Sequence, residues 1–149
     1  MIIKMRRAIL FIAAVLSFTS CRQASEIPFE EVKNYFFRNY ADIPESPVVD
    51  SSEQFDELFG AAAFMGKDGQ PTSVDFGKEF VIAIVNPVTD CLTELTPESL
   101  RKVDDELVFT YRETIGEQQS WTMRPILLVK IDRKYKMESV RIERRPQEM

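Results

Sequence analysis

The sequence predicts an α+β domain in which short N-terminal helices precede an antiparallel meander sheet of five or more strands. Apolar residues recur at helical spacing only before Gly60, whereas from Val74 onward they follow the period of two that is typical of strands. The segments between the predicted strands are too short to hold crossover helices. Sequential strands that are joined by short turns pair antiparallel, which favours a meander over a parallel sheet.

Residues 1–20 have the composition of a secretory signal. Lys4, Arg6 and Arg7 make a basic start, and Ala8–Phe18 is uncharged and mostly apolar. This apolar run is shorter than the roughly 20 residues that a membrane-spanning helix needs. A basic start followed by a short apolar core predicts a signal peptide that is removed from the mature protein.

The end of this segment resembles a bacterial lipoprotein signal. The small residues Thr19 and Ser20 stand directly before Cys21, although Phe18 occupies a position where such signals usually have leucine. The resemblance implies that the chain is cut before Cys21 and that this cysteine carries lipid on its sulfur and its amine. The protein would then be anchored in the bacterial cell envelope, periplasmic or surface-exposed. The alternative is an ordinary secretory signal that is cut near Cys21 or Ala24.

Removal of the leader makes the chain more acidic. The whole sequence has 19 Lys+Arg and 24 Asp+Glu. Three basic residues and no acids lie in residues 1–20, so the rest has a formal charge of 16 − 24 = −8. An acidic chain argues against nucleic acid as a partner, and also against electrostatic docking onto anionic lipid. We expect a polar tether over 21–27 and one α+β domain over 28–149, held at the membrane by lipid alone.

The sequence contains no histidine, which excludes several kinds of catalytic site. Neither a Ser-His nor a Cys-His pair can form, and no metal can be bound through histidine. The acids are evenly spread, and Asp104-Asp105-Glu106 lacks the alternating spacing of a calcium loop. We therefore expect no cofactor, no metal and no enzyme activity. Cys91 is predicted to be a small buried or half-buried strand residue. A catalytic role is disfavoured, because no histidine is present to activate its thiol.

The first predicted helix runs from Pro28 to about Asn34. Phe29, Val32 and Phe36 recur at helical spacing, and two acids stand in the first turn, where the helix dipole favours them. The aromatic residues that follow suit an extended stretch to Tyr40.

The second predicted helix begins at Ser51 or Ser52, either of which can cap its first turn. Phe55, Leu58 and Phe59 give it one apolar face, and Gly60 ends it.

The clearest predicted strand is Phe80–Val85, a continuous apolar run of the kind that is buried on both faces. Between the later strands we expect a turn or a single helical turn at Ser99–Asp105, a loop at Gly116–Gln119 and a charged hairpin turn at Asp132–Lys136. The other predicted strands are Leu92–Leu95, Leu107–Tyr111, Ser120–Met123, Ile126–Ile131 and Met137–Ile142.

An ordered set of motifs resembles the C-terminal domain of the PrcB family of protease-complex subunits. The serine-led helix SSEQFDELF is followed by DFGKE at Asp75–Glu79, by FVIAIV, by an L-x-F-x-Y strand and by T-x-x-P-x-x-L-V-K-I. The resemblance covers about Asp50–Ile142. It implies a secreted or lipid-anchored, non-catalytic accessory domain, sometimes associated with a protease. The glycine-rich turn that the family has after the apolar strand is replaced here by Asn86–Cys91.

Two segments hold the candidate partner-binding residues. The first, Asn86–Cys91, contributes Asn86, Thr89 and Asp90; these are turn-forming residue types, and a plain turn is the alternative interpretation. The second, Gln118–Pro125, contributes Trp121 and Arg124. Trp and Arg are enriched in binding hot spots, but a lone Trp in a small sheet also serves as core packing.

Three functional hypotheses follow. The first is a lipid-anchored cell-envelope accessory protein that acts through protein–protein contacts, with an envelope or secreted protease among its candidate partners. The alternative is a protease inhibitor that uses the 86–91 loop. The third is a small carboxylate-dependent enzyme, which would need two acids facing one pocket.

Overall fold

The computed structural model describes residues 24–148. The predicted signal over 1–20 and the predicted lipid site Cys21 lie outside the described residues. No helix within 24–148 has the length and hydropathy that a membrane span requires.

The described chain is rich in β-structure, with a single short α-helix. That helix, α1, is Ser52–Leu58, and a 3-10 helix spans Arg133–Tyr135. The strands are β1 Ser25–Glu26, β2 Glu30–Glu31, β3 Tyr35–Phe37, β4 Val48–Val49, β5 Phe59–Ala61, β6 Glu79–Val85, β7 Thr89–Val103, β8 Glu106–Met123, β9 Ile126–Asp132 and β10 Ser139–Pro146.

The strands form three sheets. The central sheet has the order β2-β9-β6-β4, and the outer sheet has the order β1-β7-β8-β10. A third, two-stranded sheet pairs β3 with β5. The central sheet therefore lies between the outer sheet on one face and α1 with the β3-β5 pair on the other.

The alternation of side chains along β6 produces two hydrophobic cores. Phe80, Ile82 and Ile84 face the outer sheet, while Val81 and Ala83 face the layer that contains α1. All five are buried, and β6 has a neighbouring strand on each side. The predicted burial of this strand on both faces is confirmed, because each face is covered by its own apolar layer.

The helix predicted from Ser51 or Ser52 is confirmed. The Ser51 hydroxyl accepts a hydrogen bond from the Gln54 amide at 3.2 Å, which caps the first turn. Phe55 and Leu58 are buried in the second core. The helix ends at Leu58, and Gly60 lies in β5, where an added Cβ would come within 2.5 Å of the Phe36 ring.

The helix predicted over Pro28–Asn34 is wrong. Glu30 and Glu31 instead pair with β9. Phe29 packs against the first core while Val32 is buried in the second, so the segment crosses the edge of the central sheet. Asn34 has a φ of 66°, which a continuing helix does not allow. Packing on two sides has overridden the helical spacing of the apolar residues.

The predicted meander in one sheet is wrong, because from β6 onward only β7 and β8 pair with their neighbour in sequence. Strand β6 pairs with β9 in the central sheet, and β10 pairs parallel with β8 in the outer one. A hairpin from β9 to β10 would need a free edge on β9, but β9 has β6 on one side and β2 on the other. The Arg133–Tyr135 helix carries the chain from the central sheet to the outer one. There Val140 and Ile142 pack on the first core, as their alternation predicts.

The β7-β8 hairpin is much longer than predicted. The segments expected as a turn at Ser99–Asp105 and as a loop at Gly116–Gln119 are mostly strand, and only Asp104 and Asp105 form the turn. Asp104 has a φ of 55°, a left-handed conformation that Asp tolerates in tight turns. Close to this turn, the last residues of the predicted tether belong to the fold, since Ser25 and Glu26 pair with β7 and Ile27 is buried.

Candidate functional site

Half of the β7-β8 hairpin extends beyond the rest of the outer sheet. Strand β10 runs alongside β8 only as far as Glu113, and β1 pairs with β7 only at Arg101 and Lys102. Beyond these points β7 and β8 are hydrogen-bonded only to each other among the described strands. We call this part, residues 89–94 with residues 114–123, the ribbon.

The ribbon exposes three large apolar side chains. Leu92 is 50% exposed, Ile115 is 58% exposed and Trp121 is 51% exposed. The pairing is irregular here: Thr89 lies opposite Met123, whereas Cys91 lies opposite Gln118. Residues 119–122 therefore bulge from the ladder and hold Trp121 at the surface. Trp121 is neither buried in a core cluster nor shielded from solvent, so it is available for contact.

The ribbon is acidic. Its residues include Asp90, Glu94 and Glu117 but no Lys or Arg. The Gln118 amide donates a 2.6 Å hydrogen bond to the Asp90 carboxylate, and the Cys91 thiol donates a second at 3.7 Å. The hydrogen bond from Gln118 is the main reason that the pKa of Asp90 is lowered from its ordinary value. The ribbon thus presents a fixed negative charge beside its apolar side chains.

Asn86 and Arg124 meet at the base of the ribbon, where the chain passes between the two sheets. The Asn86 amide donates to the Pro125 carbonyl at 2.9 Å, and the Arg124 guanidinium donates to the Asn86 carbonyl at 3.3 Å. Arg124 also lies over the Phe37 ring, 5.4 Å from its centroid. These contacts brace the corner, so both residues hold the ribbon in place.

The five predicted partner-binding residues thus divide into two groups. Asn86 and Arg124 form the base, while Thr89, Asp90 and Trp121 lie in the ribbon itself. The Thr89 hydroxyl accepts a hydrogen bond from the Cys91 amide at 3.1 Å and so orders the start of the strand.

Sequence reasoning missed Glu113, which completes the corner. The Asn86 side-chain amide donates to the Glu113 carboxylate at 2.8 Å, and Arg144 of β10 donates to its other oxygen at 3.2 Å. Glu113 follows Leu107, Phe109 and Tyr111 on the inward face of β8. The sequence did contain a signal for Glu113, because an acid here continues the series of inward-facing apolar residues on β8. A carboxylate on a core face needs polar partners.

The corner places Tyr111 in an unusual electrostatic setting. Burial raises the pKa of this tyrosine, the negative charge of Glu113 raises it further, and Arg144 opposes the change. Tyr111 is only 4% exposed, so its neutral form is part of the first core.

One concavity lies at the corner and a larger one lies away from it. A cavity of about 200 Å³ lies at the corner, between Asn86, Thr93, Ile115 and Arg144. A larger cleft of about 380 Å³ opens elsewhere, near Phe29 and Lys130. Lys130 is already engaged there by Glu30 at 3.4 Å and Glu79 at 3.6 Å. Among residues 24–148, no cluster of acids and cysteines has metal-binding geometry.

We expect stability to fall above about pH 10, because a tyrosine with a raised folded-state pKa favours folding only while it is protonated. This contribution is complete below the unfolded pKa and is lost as the pH rises through the folded pKa. Tyr111→Phe should flatten the decline, whereas Tyr40→Phe, at a 79% exposed position, should not. Urea unfolding at a series of alkaline pH values measures the effect. Identical declines in the two variants would contradict the assignment.

Comparison with known proteins identifies no relative of this chain. No protein-family model, curated protein or solved structure matches the chain. The similarity to the PrcB C-terminal domain therefore stays a prediction from the sequence motifs.

Proposed function

We propose that this protein is a lipid-anchored accessory protein of the bacterial cell envelope, non-enzymatic, which binds another protein through the ribbon. One observation carries the proposal: Leu92, Ile115 and Trp121 are half exposed on strands that no third strand of the described chain covers. Ile115 lies opposite Thr93 and shares its face, whereas Leu92 is on the other face of the ribbon. Exposed apolar side chains on an element that no further strand covers mark interaction sites.

The chemistry of the ribbon fits a protein partner. Protein interfaces combine an aromatic or aliphatic centre with a polar rim, and Trp is among the residues that contribute most to binding. The ribbon has this composition, with Trp121 on the bulge and Asp90 nearby on the opposite strand. Its acidic character disfavours nucleic acid and anionic lipid headgroups as the contacted surface.

The braced corner supports the same proposal. A surface that is already ordered loses less conformational freedom when it binds. Here Asn86 is held by Pro125, Glu113 and Arg124, so the base of the ribbon is fixed before any partner arrives. The PrcB-like motifs agree with an accessory role, and a protease of the envelope is the partner class that they favour.

The ribbon can be tested by replacing Trp121 with a photo-crosslinking amino acid in the full chain, in cells. We expect a crosslinked adduct of defined mass from this position and none from Tyr40, which is more exposed but lies outside the ribbon. Leu92→Asp should reduce the Trp121 adduct roughly tenfold or more, because a charge in the centre of an apolar contact is costly. Equal adducts from both positions, or none from Trp121, would contradict a ribbon interface.

The lipid anchor is tested separately. Cys21→Ser removes the sulfur that would be acylated and should move the protein from the membrane fraction to the soluble fraction, because two or more acyl chains are what hold a protein stably on a bilayer. Cys91→Ser is the matched control and should leave the distribution unchanged. A Cys21→Ser chain that stays in the membrane fraction would rule out this anchor.

A protease inhibitor that uses the 86–91 loop is the second candidate. The observation in its favour is that Val88 is half exposed and lies close to Asn86 in sequence. Asn86 is itself held by hydrogen bonds from both its backbone amide and its side-chain amide. Substrate-like inhibitors need such a rigid, exposed loop.

Under this second candidate the purified protein inhibits a papain-like or a serine protease, and Val88→Asp abolishes the inhibition. Leu92→Asp serves as the matched control on the ribbon. Absence of inhibition at micromolar protein against both classes would end the inhibitor hypothesis and leave the accessory role as the remaining candidate.

A further inference from the structure

The outer edge of β10 is open. This strand is last in the outer sheet and pairs only with β8, over Ser139–Pro146. No strand within residues 24–148 pairs with its other edge. An open edge presents alternate backbone N–H and C=O groups, which form a template for another strand.

An apolar groove lies beside this edge. Ile142 of β10 lines it together with Ile43 and Pro44 of the loop before β4 and with Ile84 and Val85 of β6. The cavity measures about 250 Å³, and Glu45 is the charged residue in its lining. Ile43 is about half exposed. Ile142 is therefore the point at which the core between the two sheets reaches the surface.

The sequence of β10 is complementary to itself. Arg141 and Glu143 lie on the solvent face, where Arg141 donates to Glu143 at 2.6 Å; Val140 and Ile142 lie on the core face. If a copy of the strand lies antiparallel beside it, with a two-fold axis through Ile142, Ile142 lies opposite Ile142 of the copy. Arg141 then lies opposite Glu143 of the copy, and Glu143 lies opposite its Arg141.

This arrangement closes an alternating square of charges. Each Arg141 has a Glu143 along its own strand and a second Glu143 across the new pair. Opposite charges at directly facing positions of an antiparallel pair are stabilising. In the same register Val140 faces Arg144 and Ser139 faces Arg145, so no like charges face each other directly.

Neighbouring registers do not share this property. A slip by one residue would put the core face of one strand against the solvent face of the other. The next permitted register in one direction places Arg141 opposite Arg141. In the other direction it places Glu143 opposite Glu143 and Arg141 opposite Arg145. The charge pattern of β10 thus selects the register centred on Ile142.

We propose that a second copy of this chain pairs with β10 in this register, which forms a two-fold symmetric dimer with one continuous sheet of eight strands. Such an interface is isologous, because the same patch is used by both subunits. The two Ile142 side chains lie together at the mouth of the apolar groove and cover it. This inference is independent of the ribbon. Strand β10 lies beside residues 106–113 of β8, and the ribbon begins beyond them.

The test is a set of charge reversals measured by light scattering on the full chain purified in detergent. The wild-type protein should be a dimer. Arg141→Glu alone and Glu143→Arg alone should each associate roughly tenfold more weakly or worse, because two attractive pairs become repulsive. An equal mixture of the two variants should associate as the wild type does, since every facing pair in the heterodimer is again opposite in charge.

Arg145→Glu is the matched control, because it makes the same charge change on the same strand but faces Ser139 of the copy; it should remain a dimer. Circular dichroism of each variant confirms that the fold is retained. A monomeric wild type at the highest soluble concentration would overturn the proposal. So would single variants that associate normally, or a mixture of the two that fails to associate.

Discussion

The burial of the β6-β9 pair on both faces is the constraint on which the rest of the structure depends. Its side chains are apolar on successive positions, so neither face of the central sheet can be left to water. One face is covered by the outer sheet and the other by α1 with the β3-β5 pair. The segment before β3 lies along the sheet edge for the same reason, with Phe29 in one core and Val32 in the other.

The pairing within the central sheet also accounts for the ribbon. Val85, the last residue of β6, lies opposite Ile126, the first residue of β9. The chain therefore leaves the central sheet and returns to it at the same place, which sets the start of β7 beside the end of β8. The corner that results is fixed by Asn86, Glu113 and Arg124, and the strands beyond it have no further neighbour in the described chain.

The features that depend on local sequence were predictable. The Ser51 cap of α1 and the buried strand Phe80–Val85 both follow from residues close together in the chain. The features that depend on distant residues were not. The parallel position of β10 follows from the occupied edges of β9, and the helical spacing around Phe29 is overridden by two separate cores. The polar sequence near Gly116 has the composition of a loop, and only its pairing partner in β7 makes it a strand.

The structure divides the five candidate residues between the corner and the ribbon, an arrangement that the sequence did not indicate. Asn86 and Arg124 are predicted to contact a partner, and in the structure they make the hydrogen bonds that brace the corner. The proposed contact surface consists of the exposed residues of the ribbon, which include Trp121 but also Leu92 and Ile115, which no motif marked. Their exposure follows from where the neighbouring strands end, a property of the assembled sheet.

The central claim is that the ribbon is covered by a partner in the native envelope. Hydrogen exchange tests it most directly, by comparing the amides of the chain in isolated native membranes with those of the purified protein. The account predicts added protection in membranes at residues 89–94 and 114–123, with the amides of β6 and β9 unchanged. Equal exchange of the ribbon in both samples, or added protection confined to other surfaces, would contradict it.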